Sequence, residues 1–139
     1  MISISGSDIY NKVLEFSSFE AGRGVAGDAL YSTLLVNTRD KAFIDSYSAH
    51  AQSNIGATLH FCLEDYYYED GNYSYEFRPN CTISTQKGAT RLIKEAMVLS
   101  VMSQWLANKL PERAQAYAAM YTDLLSVLIK SVKKLNPVL

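Results

Sequence analysis

The chain has 139 residues and a net charge of −1, from 13 Lys and Arg against 14 Asp and Glu. A folded chain of about 150 residues removes roughly 70% of its unfolded surface from water, so one domain can close a core without disulfide or metal. The lack of excess positive charge argues against nucleic acid as the main partner, because phosphate binding rests on Lys and Arg.

Two further numbers point toward protein contact. Charged residues are 19%, below the common value of about 25%, and tyrosine contributes 10 residues. Low charge with abundant tyrosine is the composition of interface cores, where Tyr supplies contact area at small entropic cost. Cys62 and Cys81 are too few for a secreted scaffold, and their spacing fits no zinc pattern. They read as small apolar side chains in a reducing compartment, with a disulfide between them as the alternative. Met1–Gly6 has neither a basic start nor an apolar run, and no stretch reaches the roughly 20 apolar residues that span a bilayer. No membrane is expected.

The first element is a short helix. Ser5 or Ser7 can cap it, Asp8 suits its first turn, and Ile9, Val13 and Phe16 recur at helical spacing to about Phe19. Gly22, Gly24 and Gly27 then break the pattern. That run lacks the Gly-Lys-Ser/Thr ending of a phosphate loop and reads as a turn. Asp28 can cap a second short helix carrying Leu30, Leu34 and Leu35.

Asn37 and Thr38 cap a long helix predicted from Arg39 to about Asp65. Its apolar line is Ile44, Tyr47, Ala51, Ile55, Leu59, Cys62 and Tyr66, in steps of three and four. Gly56 interrupts that line and marks a close helix crossing. After Asp70 and Gly71 the period becomes two. Tyr73, Tyr75 and Phe77 alternate with Ser74, Glu76 and Arg78. Pro79 and Asn80 signal a turn, and Cys81–Thr85 continues as a second strand. The expectation is a β-hairpin near residues 73–85, whose aromatic face must pack on this domain or on another subunit.

The last third holds two helix-length patterns, Thr90–Lys109 and Pro111–Lys134, joined by almost nothing, which predicts an antiparallel helical hairpin. Leu92, Ile93, Ala96, Met97, Leu99, Trp105 and Leu106 line one helix. Ala114, Tyr117, Ala118, Tyr121, Leu124, Leu125, Leu128 and Val132 line the other. Pro111 suits the first helical position, and Asn136 with Pro137 stops the last helix. Lys130, Lys133 and Lys134 are placed in its last turns, opposing the helix dipole. The fold class is therefore mainly α: a single domain over residues 1–139, built as a bundle of about four to five helices with a small inserted β-hairpin.

Candidate chemistry is sparse. His60 and Glu64 stand four residues apart on the long helix, so they share a face and could both hold a metal, whereas His50 points elsewhere. A four-helix di-metal site needs Glu-x-x-His pairs on different helices, and this spacing does not supply them. Cys62 lies on an apolar line, where a thiol is inert. The carboxylates Glu64, Asp65, Glu69 and Asp70 flank Tyr66, Tyr67 and Tyr68 and read as a solvated loop. No catalytic, cofactor or metal residue is assigned. Three consecutive tyrosines cannot all face one core, so the expected interface is Tyr66, Tyr67, Tyr68, Tyr73, Tyr75 and Phe77.

The order of parts carries a resemblance. A capped short helix at Ser7–Tyr10 leads through a glycine break to the Asp-led segment Asp28–Leu35. A long helix runs into a β excursion, and Lys94–Leu106 opens a closing helical hairpin. This layout resembles the small helical head–tail connector or adaptor proteins of tailed phages and prophages, although the tyrosine-rich ribbon departs from it. The resemblance implies a non-enzymatic structural subunit of a virion or host-cytoplasmic complex. It would assemble with itself, as a ring, and with other virion proteins, using no cofactor. The alternatives are a monomeric module that binds a protein or peptide, and a helical-bundle metalloenzyme using His60 and Glu64.

Overall fold

A computed structural model describes residues 1–23, 35–79, 81–83 and 86–134. The predicted Asp28 helix, the turn at Asn80 and the stop at Asn136 and Pro137 lie outside them. The fold is mainly α, with four α-helices and a small three-stranded antiparallel sheet among the described residues.

The chain opens with a strand, β1 (Ile2–Ser5), which the helical reading of the first residues passed over. Its Ile-Ser-Ile-Ser alternation is a period of two: Ile2 and Ile4 are buried and Ser3 is exposed. Ser5 then caps α1 (Gly6–Arg23), its Oγ accepting from the Asp8 N–H at 3.4 Å. The helix runs past Phe19, and Gly22 sits in its last turn rather than breaking it. Ile9, Val13, Ser17 and Glu20 form its buried line.

Asn37 closes a capping box. Its Oδ1 accepts from the Arg39 N–H at 2.9 Å, while its own N–H donates to the Asp40 carboxylate at 3.0 Å. A 3₁₀ turn, Thr38–Asp40, leads into α2 (Lys41–Thr58). This helix stops seven residues before the predicted end at Asp65. The apolar line continues because the turn after Thr58 still faces the core, with Leu59 and Cys62 both fully buried. Periodicity of burial outlasted periodicity of backbone.

The hairpin is correspondingly displaced from residues 73–85. It consists of β2 (Leu63–Glu69) and β3 (Asn72–Phe77), with Asp70 and Gly71 as its two-residue turn. Both turn residues have positive φ, 50° and 79°, as expected for the tight turn that matches strand twist. Strand β3 is central: β1 pairs along one side, with Ile2 opposite Tyr75 and Ile4 opposite Tyr73. Along the other side β2 sets Tyr66 opposite Tyr75 and Tyr68 opposite Tyr73, with an irregularity between Leu63 and Asp65. The β4 strand (Cys81–Ile83) does not pair with β3. Its partner is β5 (Val132–Lys134), beyond the last helix.

The helical hairpin is as predicted in its main lines. It joins α3 (Gln86–Leu106) to α4 (Pro111–Ser131) through a four-residue link, and the Leu110 N–H donates to the Leu106 carbonyl at 2.8 Å. Lys130 lies in the last turn of α4, but Lys133 and Lys134 belong to β5, so the helix-dipole reading fails for those two. Helix α3 is the axis of the core. Ile93, Ala96, Met97, Val98, Val101, Met102, Trp105 and Leu106 are all buried, on more than one side of it. Cys62 is buried and Cys81 half-buried.

Candidate interaction surface

The six residues predicted as an interface divide between the two sides of the fold. Tyr73 and Tyr75 are buried in the molecule's own core, at 4% and 0% exposure. The Tyr75 hydroxyl reaches Met97 Sδ at 3.6 Å, and burial raises its pKa well above the tyrosine range. The Tyr73 hydroxyl reaches the Asp45 carbonyl at 3.5 Å, and burial again raises its pKa. Phe77 is half-buried against the core. These three rings anchor the sheet to the helices. Strand register put them there, since they share a face with Ile2 and Ile4.

Tyr66 and Tyr68 lie on the same face but at the open edge of the sheet, because among the described residues β2 has a neighbour on one side only. They keep 37% and 58% of their surface exposed. The Tyr66 ring rests on Gly56, where a Cβ would come within 2.5 Å of it. The glycine therefore marks a helix–strand approach, not a helix crossing. The Tyr68 ring lies 4.7 Å from that of Tyr73 between centroids. Tyr67 points to the opposite, polar face. Its hydroxyl donates to Glu76 Oε1 at 3.1 Å, a bond that raises its pKa. Gln52, buried on α2, donates to the Tyr67 carbonyl at 2.8 Å and to that of Ser74 at 3.3 Å, tying the middle of the hairpin down.

The hairpin is strongly acidic. Residues 63–77 hold Glu64, Asp65, Glu69, Asp70 and Glu76 and no Lys or Arg. None of these carboxylates is in an ion pair among the described residues. Charges along an open edge discourage indiscriminate strand pairing, and they also give the edge a sign that a partner must match.

On the other flank of α2 is a cleft of about 310 Å³ that pattern reading missed. Phe43, Tyr47 and Trp105 supply its aromatic lining, and Arg39, Asp40 and Lys109 its charges. Phe43 is 58% exposed. The Lys109 ammonium sits 3.9 Å from the Trp105 ring centre, a cation–π arrangement. Asp40 is committed to the capping box, whereas Arg39 and Lys109 take part in no ion pair among the described residues. One signal was available: Phe43 stands beside Ile44 and off the apolar line, so a helix that buries Ile44 exposes it.

A second groove, of about 400 Å³, runs between α1 and α3 over Phe16, Val98 and Leu99. Its charges largely balance: Lys94 meets Asp8 at 3.7 Å and Lys12 meets Glu15 at 3.3 Å. Helix α4 also leaves Met120, Val127 and Ile129 exposed.

The residues weighed for chemistry are not brought together. His60 lies in the turn after α2 and Glu64 on β2, so the shared helix face expected for them does not exist. The His60 ring faces the Ala57 carbonyl and the His50 ring faces Gln104. Among the described residues no group of three or more His, Cys, Asp or Glu side chains could hold a metal ion. Likewise no helix among them is long and apolar enough to cross a membrane. Comparison with known protein families, curated proteins and solved structures finds no match to this chain.

Proposed function

We propose that this protein is a non-enzymatic assembly subunit of the head–tail connector kind, acting through contacts with copies of itself and with other proteins of a virion or host-cytoplasmic complex. The observation that carries this reading is the form of the hairpin. Its inner tyrosines, Tyr73 and Tyr75, hold it to the core, while Tyr66 and Tyr68 stand on an open, acidic edge strand. Rigid aromatic contact area held on a firm base is what a lasting protein interface uses, since little entropy is lost when it docks.

Sedimentation velocity and native mass spectrometry over a range of concentrations test it. Oligomers that grow with concentration are expected. Replacing Tyr66 and Tyr68 by Ser should reduce them while leaving the helical circular dichroism intact. A chain that stays monomeric at the highest concentrations, well above the micromolar range of a specific complex, would overturn the self-assembly reading.

The apolar floor of the groove between α1 and α3 favours a second reading, a monomeric module that takes up a partner peptide. Its discriminator is a stable monomer in which Leu99→Asp abolishes binding to a partner that the Tyr66 and Tyr68 replacements leave untouched.

A further inference from the structure

The acidic edge and the aromatic cleft stand on opposite flanks of α2. Gly56, under the Tyr66 ring, is separated from Phe43 and Tyr47 by roughly 140–180° around the helix axis at 100° per residue. One flank offers two exposed tyrosines among Glu64, Asp65, Glu69 and Asp70. The other offers an aromatic cleft rimmed by Arg39 and Lys109. The two are complementary in charge and in the type of surface. Within one molecule they cannot meet, because α2 lies between them.

We propose that the cleft is the docking site for the β2 edge of a second copy of this chain, with Tyr68 as the anchor ring and Arg39 and Lys109 facing the neighbour's Glu69 and Asp70. The occupant is argued from charge. A cleft whose two cations take part in no ion pair among the described residues, and whose Asp40 is held by the Asn37 N–H, accepts an acidic segment, and residues 63–77 hold five carboxylates and no Lys or Arg. Tyrosine entering a pocket built from Phe, Tyr and Trp and rimmed by Arg is also the residue pairing of interface hot spots. The contact is heterologous: each copy uses its edge toward one neighbour and its cleft toward the other. The rotation between copies decides whether the series closes or extends. The proposal rests on the assembly reading above and adds the surfaces that would carry it.

Two variants test it, one blinded on each flank. The edge variant combines Tyr68→Ser with Glu69→Lys, and the cleft variant combines Phe43→Ser with Arg39→Glu, all at exposed positions. Each alone should raise the dissociation constant of self-association by about tenfold or more. An equimolar mixture should then form a heterodimer and stop there, because only the intact edge of one variant meets the intact cleft of the other. Native mass spectrometry separates that species from either homodimer by mass. If the double variants lose their fold, Tyr68→Ser and Phe43→Ser singly, then mixed, serve in their place. Wild-type oligomers that survive in both variants would overturn this contact while leaving the assembly reading standing. A wild-type chain that never self-associates would remove both. Loss of association in both variants with no heterodimer on mixing would also overturn the head-to-tail contact.

Discussion

At the scale of single residues, the most consequential contact is one that pattern reading did not identify. Glu20 is 1% exposed near the end of α1, and Arg113 on α4 holds it through Nε at 3.2 and 3.1 Å and Nη2 at 2.8 Å. The Tyr117 hydroxyl donates to the same carboxylate at 2.9 Å. A buried carboxylate left without such partners is costly, so Arg113→Ala strands a charge in the core, whereas Glu20→Ala leaves a guanidinium that is 33% exposed to water. Arg113→Ala is expected to lower stability by about 3 kcal/mol and Tyr117→Phe by about 1 kcal/mol, read by urea unfolding. The buried and half-buried tyrosines set the alkaline limit. Burial and the bond to Glu20 push Tyr117 up to about 12, burial pushes Tyr121 up to about 12, and burial raises Tyr75 further in the same direction. A folded pKa above the unfolded value of about 10 means that these groups contribute full stability below pH 10. That contribution is lost as pH rises through their folded values. The urea midpoint should therefore fall steeply between pH 10 and 12, with tyrosinate absorbance rising in step with unfolding.

At the scale of elements, the hairpin depends on its turn. Asp70 and Gly71 both have positive φ, and the Gly71 carbonyl accepts from the Gly6 N–H at 2.8 Å, joining the turn to the start of α1. A Cβ at Gly71 would meet no neighbouring atom, so the cost of Gly71→Ala is conformational alone. It should be about 1 kcal/mol, read by thermal or chemical unfolding. The same turn explains how far the hairpin was legible. Asp-Gly between aromatic runs is a strong hairpin signal, but the tyrosines before it also continued a helical line from Ile44 to Cys62. A seven-residue strand and the last turns of a helix compete for the same residues. Pairing with Asn72–Phe77 satisfies the backbone of residues 63–69 while leaving Leu63 in the core, and the ladder wins.

At the scale of the whole molecule, α3 organises the rest. Helices α1, α2 and α4 and strand β1 all pack against it, and its residues from Ile93 to Leu106 include six with no exposed surface. Helix α4 buries little by comparison: Ala114, Tyr117 and Leu128. Amide hydrogen exchange should therefore be slowest across Ile93–Leu106, at rates set by global unfolding. The second half of α4 should exchange through smaller openings. Equal protection of the two helices would contradict this account of where the stability sits.

The sequence by itself determined the mainly helical class, the Asn37 cap that precedes α2, the closing helical hairpin and the change to a period of two after Asp70 and Gly71. Those features rest on caps, periodicity and turn chemistry within a few residues of one another. Only the tertiary structure decided which tyrosines are inside, which strand each segment pairs with, and that Glu20 meets Arg113. It also decided that Phe43 and Trp105 form a cleft on the flank away from the acidic edge. Each of these joins residues far apart in the chain, as Ile2 is joined to Tyr75. Local pattern shows that a residue can be buried or paired; packing decides against what.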